Sequence, residues 1–434
     1  MKDKKHKIWN KGITRRKMLK TMATAAGTAI GAGAFSGFPM VWAQKLKDVK
    51  LLHVGSPYSI PAEIAKQATK DLGFEIESQA LASDVLQTRV LTQAKTVDIA
   101  DLSYVVWPRV IPRGVCQGIE ISKIKEWNNM VPIFTQGKNA DGSPSSMEGS
   151  APYKLMYLEK PDARKTVKKQ TDYALSVPTI YNADTLGIRP DLINRPIEKW
   201  SELFNPEFRG KAGLIDYPGV GIMDSAMAIE SMGKHKYADK GNMTREEIDL
   251  TVGYLKKLKA QGHWRAFWTH FDESVNLMAS GEVIIQSMWS PAVTAVRARG
   301  IPCVYQPLKE GYRAWGNSLG IMKHLSGLKL EAAYEYLNWY LSGWYGGFIA
   351  RQGYYSAVPS TAKKFLTSDE WNYWYEGKPA QNDILDPYGK AQEKAGHVRD
   401  GGSFWERMGK IACWNAVMKE DRYLTKKWNE FVAS

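Results

Sequence analysis

Cysteine is scarce in this chain: Cys116, Cys303 and Cys413 are its three examples in 434 residues. An odd number, widely spaced, allows one disulfide at most and excludes a small fold held together by cross-links; isolated buried thiols are the expected role. Metal and redox signatures are missing as well. No C-x-x-C cluster and no H-E-x-x-H occurs, and the seven histidines offer no pair at metal-ligand helical spacing. Gly219-Val220-Gly221 lacks the third glycine of a dinucleotide fingerprint and reads as a turn. Basic runs are short, and Lys256-Lys257 reads as a solvated helix face, so nothing demands nucleic acid. No cofactor and no catalytic residue are expected.

What is present begins with an address. Residues 1–20 hold nine Lys/Arg against one Asp, and the run Thr14-Arg15-Arg16-Lys17-Met18-Leu19-Lys20 resembles the twin-arginine export motif. No charge follows Lys20 until Lys45, yet the stretch is too rich in Gly, Ala and Thr to make a strong membrane span. Val41-Trp42-Ala43 looks like a signal-peptidase site, so 1–43 is expected to be an export signal and Gln44 the mature N-terminus, with an uncleaved anchor as the alternative. Export then makes the twin-arginine translocase a transient partner and the periplasm the destination. Without 1–43 the formal charge falls from +14 to +6.

The remaining chain, about 390 residues, exceeds one hydrophobic core and calls for at least two domains. Its first part alternates strand and helix periods, as a parallel sheet covered by helices requires. Val49 to Val54 reads as a strand; Ile64, Ala68 and Leu72 fall at helical spacing up to Gly73; Phe74 to Ile76 opens a second strand. Ser83-Asp84 is placed to cap a helix through Leu86, Val90 and Ala94, before a third strand over Val97 to Leu102. Residues 137–150 lose periodicity and mark a long loop. Thr244 and Glu247 form a capping-box pattern ahead of Ile248, Val252, Leu255 and Leu258. Phe271, Val275 and Met278 carry a further helix to Gly281, and Val283 to Ile285 is a strand that delivers Met288 and Trp289 at its carboxyl end, where open α/β sheets hold ligands. The last 110 residues or so read as mainly helical, with Ala333, Leu337 and Leu341 on one face. Sixteen Trp and 21 Tyr suit a cleft that keeps part of a ligand dry and a polar edge wet, beyond the rings that serve the core.

Several segments in order resemble one family. Val97-Asp98-Ile99-Ala100-Asp101-Leu102-Ser103-Tyr104, Ser176-Val177-Pro178-Thr179-Ile180-Tyr181-Asn182 and Trp200-Ser201-Glu202-Leu203-Phe204-Asn205-Pro206-Glu207-Phe208-Arg209-Gly210-Lys211 are similar to extracellular solute-binding proteins of the spermidine/putrescine type. The resemblance continues through Leu277-Met278-Ala279-Ser280-Gly281-Glu282-Val283, Trp289, Lys309-Glu310-Gly311 with Trp315, and Gly353-Tyr354 before Pro359. It implies an α/β fold of two lobes joined by a hinge, with the ligand closed between them, no enzyme activity, and delivery to an ABC permease in the inner membrane. The expected division is 44–160 plus 312–360 for one lobe, 161–311 for the other, and 361–434 as a C-terminal helical segment packed on both.

Carried over position by position, Trp289, Trp315 and Tyr354 match the family's site aromatics, and Ser103 and Tyr104 fall at a ligand-contacting turn. An aromatic box holds an ammonium group by cation–π attraction of roughly 0.5 to 2 kcal/mol per contact. The carboxylates differ. Asn317 stands two after the second tryptophan where an acid is expected, Asp216 is all that remains of an acidic cluster, and the first strand lacks the aromatic expected near Val54. Asp272, at a helix start, is a further candidate charge, its competing role being an N-cap. The implied ligand is therefore a small amine-containing solute, polyamine-like or related, and smaller or less charged than spermidine or putrescine: a monoamine, a quaternary amine or an amino acid derivative. Two alternatives stay open: an exported enzyme, and a ferric-ion receptor of the same fold using Tyr354-Tyr355.

Overall fold

The computed structural model describes residues 46–434, so the expected export signal at 1–43 lies outside the described residues. The strands that position the site are β1 (Lys50–Gly55), β2 (Glu75–Ala80), β3 (Ile99–Ser103), β4 (Val177–Ile188), β5 (Ala212–Ile215), β6 (Trp264–Trp268), β7 (Ile285–Met288), β8 (Tyr312–Met322), β9 (Tyr355–Ser356) and β10 (Ile411–Trp414). The helices that cover them include α1 (Ala62–Leu72), α2 (Ser83–Thr92), α3 (Pro218–Ser231), α4 (Arg245–Ala260), α5 (Phe271–Ser280), α6 (Ser290–Arg297), α7 (Gly327–Leu341) and α8 (Asp421–Ala433).

Strand order is β6-β5-β7-β4-β8-β3-β1-β2. Two parallel triplets, β2-β1-β3 and β6-β5-β7, thus repeat one winding pattern on either side of an antiparallel pair, β4 and β8. β4 changes partners along its length: Val177 to Asp184 pair with β8, and Thr185 to Ile188 pair with β7. Each triplet is an α/β layer of its own, and the long central strands carry the chain from one to the other. Their residues are almost all buried, which suits strands covered on both faces.

Local chemistry explains the helix ends. Gly73 closes α1 and Gly281 closes α5 at φ 75° and 76°, conformations that favour glycine. Thr244 and Glu247 complete a capping box at α4, whose buried face is Ile248, Thr251, Val252 and Leu255. The start of α2 differs from expectation. Ala82 holds the cap position without a side-chain bond, so Ser83 and Asp84 already lie in the first turn, and Ala94 falls beyond the helix in a short 3₁₀ turn.

The C-terminal part is also less helical than its pattern suggests. β10 joins the sheet parallel to β8, and Gly149 bridges to Trp414, where a Cβ would come within 1.9 Å of the Trp414 carbonyl oxygen. α8 then packs on α3 and α4, placing Trp428 and Phe431 in the core formed by Trp200, Leu214, Met223 and Leu255. Arg109, after β3, pairs with Asp421 at the head of α8 at 2.7 Å, so the tail ties both triplets together. All three cysteines are free, and burial pushes each thiol up to about 12, which leaves them unreactive.

Candidate functional site

The carboxyl ends of β1 and β3 and the start of β8 bring one group of residues together. Beyond β1 the chain turns through Ser56 and Pro57 to Tyr58; β8 supplies Trp315 and Asn317; Tyr354 precedes β9. The three rings pack edge to face. Tyr58 lies 5.4 Å from Trp315, Trp315 lies 5.4 Å from Tyr354, and Tyr58 and Tyr354 are 6.2 Å apart. All three are half-buried, as expected of rings that share a wall between core and solvent. Tyr58 Oη donates to Asn317 Oδ1 at 3.1 Å, and Asn317 sits opposite Ser103 in the β8/β3 register. Burial pushes the Tyr58 phenol up to about 12 and raises that of Tyr354, so both stay neutral donors at ordinary pH.

Tyr104 takes a different place. Its backbone N–H donates to the Gly316 carbonyl at 3.0 Å, but its ring is buried, stacked on Phe134 and edge-on to Trp414, so it supports the corner from behind.

The second triplet ends in Asp216, Trp268 and Trp289, after β5, in β6 and after β7. Trp289 caps α6 and meets Trp268 edge-on at 5.0 Å, against Ile215, Val220 and Leu277. Asp216 accepts from Trp428 Nε1 at 2.7 Å, so its carboxylate is already engaged by the C-terminal helix. Met288 pairs with Thr185, and Trp315 pairs with Asn182, so Trp289 and Trp315 approach β4 from its two sides. Asp272 is exposed in the first turn of α5; Glu273, one residue on, accepts from the Thr269 and His270 backbones, so Asp272 is not the cap.

Beneath the central strands lies a buried ion cluster. Arg313, 1% exposed, donates to Asp224 at 2.6 Å and to Asn415 at 2.6 Å, with Asp184 at 3.5 Å. Burial pushes Asp184 up to about 6 against the pull of Arg313 and of the hydrogen bond from Tyr305. Desolvation is the largest effect at both Asp184 and Asp224, and the nearby Asp224 carboxylate adds to the rise at Asp184.

Two sequence patterns lose their alternative meaning here. Gly219 and Gly221 lie in the first turn of α3, and Gly221 abuts the Trp428 ring, leaving no phosphate-binding turn. Tyr355 is fully buried, donates to the Trp374 carbonyl at 3.1 Å and lies beneath the guanidinium groups of Arg399 and Arg407. Two cations beside it disfavour a metal ion, and Tyr354 alone of the pair reaches the aromatic corner. A shallow depression lined by Val131, Tyr181, Phe404 and Met408 shares none of the corner's residues.

Tyr58 is the site residue that pattern reading passes over. It lies in a turn with no periodicity, although its place just beyond a parallel strand's carboxyl end is the signal that would have found it.

The geometry has counterparts among known proteins. The spermidine/putrescine-binding periplasmic protein of Escherichia coli (strain K12) is 24% identical over 317 residues, covering 72% of this chain and 78% of the relative. The structure of PotD from Streptococcus pneumoniae, a spermidine/putrescine ABC transporter substrate-binding protein, superposes with a TM-score of 0.57 at 16% identity, over 88% of this chain and 97% of that one. A GABA receptor structure gives 0.55 at 15% identity, over 88% and 97%. These likenesses establish the two-lobed fold. Residues 63–374 match the family model described as bacterial extracellular solute-binding protein. With most of its length matched, the chain belongs to the bacterial extracellular solute-binding proteins.

Proposed function

We propose that this protein is the receptor of an ABC importer, capturing a small amine-containing solute in the periplasm and handing it to an inner-membrane permease after twin-arginine export. The observation that carries the reading is the corner of Tyr58, Trp315 and Tyr354: three neutral, half-buried rings at the carboxyl ends of a parallel sheet, facing the side of β4 opposite Trp289. Such rings attract a cation by their faces and shed water from the alkyl part of an amine. Closure is a rotation of the lobes, 44–160 with 312–360 against 161–311, about β4 and β8; a permease senses it because the closed form presents different contacts. The names of the relatives point to polyamines or GABA, and Asn317 in place of an acid favours a single positive charge.

A thermal-shift screen against polyamines, quaternary amines, amino acids, sugars and ferric ion tests this, because a ligand held only by the native state raises the melting temperature. An amine should raise it by several degrees. Silence across all amines together with a response to a sugar or to ferric ion would overturn the reading.

A further inference from the structure

Asp101 lies in the middle of β3, 0% exposed, and among the described residues neither of its carboxylate oxygens has a hydrogen-bond partner. Burying a carboxylate without partners is costly, so a residue kept there calls for a reason. Its surroundings supply no cation. Tyr104 beyond β3, Tyr336 and Tyr340 from α7, Tyr345 beyond it, and Tyr58 lie near it, with His53 of β1 packed against Tyr336 and Tyr340. Burial holds every one of these phenols up and the imidazole down to about 3, so all are neutral at ordinary pH. Asp101 is thus the one carboxyl set among these neutral groups, and burial pushes it up to about 7.

The register ties Asp101 to the aromatic corner. Side chains two apart on a strand share a face, so Trp315, Asn317 and Leu319 align on β8, and Ser103 and Asp101 lie opposite Asn317 and Leu319 on β3. Asp101 is therefore one step deeper than Asn317 on the face that carries Trp315. The Asn317 amide is oriented between them: its Oδ1 accepts from Tyr58 on the site side, while its Nδ2 is buried and without a partner among the described residues. Asn317 and Ser59 oppose the rise of the Asp101 carboxyl, although neither reaches it at hydrogen-bond geometry. Room for the acid comes from Gly55 at the end of β1, where a Cβ would approach that of Asp101 to 2.9 Å.

We infer that Asp101 is the counter-charge for the ammonium group of a bound monoamine, acting through space from one step behind Asn317, and so determines which amines the corner accepts. This rests on the amine reading of the site. The negative charge at the first-lobe wall is then carried one step behind Asn317 rather than on that residue. A buried single charge behind a neutral amide suits one ammonium group and gives a second one nothing to pair with.

Calorimetric titration with putrescine, γ-aminobutyrate and a simple alkylamine, at pH 7 in buffers of different ionisation enthalpy, tests this on the unaltered protein and on Asp101→Asn. The wild type should release a fraction of a proton per amine bound, because binding favours the ionised carboxylate. Asp101→Asn should bind amines at least tenfold more weakly and release no such proton, while its ligand-free melting temperature is unchanged or higher. The double variant Asp101→Asn with Asn317→Asp should recover amine binding and shift preference toward putrescine. Equal affinity in wild type and Asp101→Asn, or binding without proton release in the wild type, would overturn the inference while leaving amine capture standing. No amine heat in the wild type would instead sink the reading on which it rests.

Discussion

Trp315 carries the most direct consequence at the scale of single residues. It is the middle ring of the corner, touching both Tyr58 and Tyr354. Trp315→Ala should weaken amine binding by about 1 to 2 kcal/mol or more, the worth of one good cation–π contact plus lost packing. Calorimetry checks this, with circular dichroism to show that the fold is intact. Asp272→Ala, exposed and outside the cap, should change affinity by less than about 0.5 kcal/mol. The buried carboxylates set a pH dependence of opposite sense to the usual one. The Asp101 carboxyl stands near 7, above its value in the unfolded chain, so the native state binds the extra proton. Its contribution is fully present below the unfolded value near 4 and is lost as pH rises through 7. His53, held down to about 3, acts the other way, since its contribution is lost as pH falls below its unfolded value near 6.5. The difference in melting temperature between Asp101→Asn and wild type isolates the first effect, and it should grow between pH 5 and pH 8.

Among elements, the central strands and the C-terminal tail decide most. Arg313 on β8 is held by Asp184 of β4, Asp224 of α3 and Asn415 beyond β10, so four segments meet at one guanidinium. Arg313→Met leaves two buried carboxylates without their cation and should cost about 3–5 kcal/mol in denaturant unfolding. Thr244→Ala, which removes the cap of α4, should cost about 1 kcal/mol. Much of this level was legible. The parallel triplets and α1, α4 and α5 follow from hydrophobic period, glycine stops and the capping box, because those signals are local. Other parts were not. β10 has four residues, too few to show a period, and it is a strand only because β8 offers an edge beside it. Asp101 sits inside a run that reads simply as a buried strand; its missing partners become visible only when α7 and β8 are packed over it.

At the scale of the whole molecule, the fold and the family were carried by segments scattered from residue 97 to residue 359, and the matched region, 63–374, agrees with that span. The ligand was less legible, because it depends on which side chains of two separate triplets converge. Ser103, Trp315, Asn317 and Tyr354 do meet, whereas Asp216 is taken by Trp428 and Asp272 faces solvent. Lobe closure about β4 and β8 should make the amine-bound protein more compact, which small-angle scattering with and without ligand would register. The most direct single measurement is calorimetric titration of the wild-type protein beside Trp315→Ala with the amine that gives the largest thermal shift. Amine capture predicts saturable one-to-one binding by the wild type and a loss of about tenfold or more in the variant. Equal binding by both proteins would contradict it.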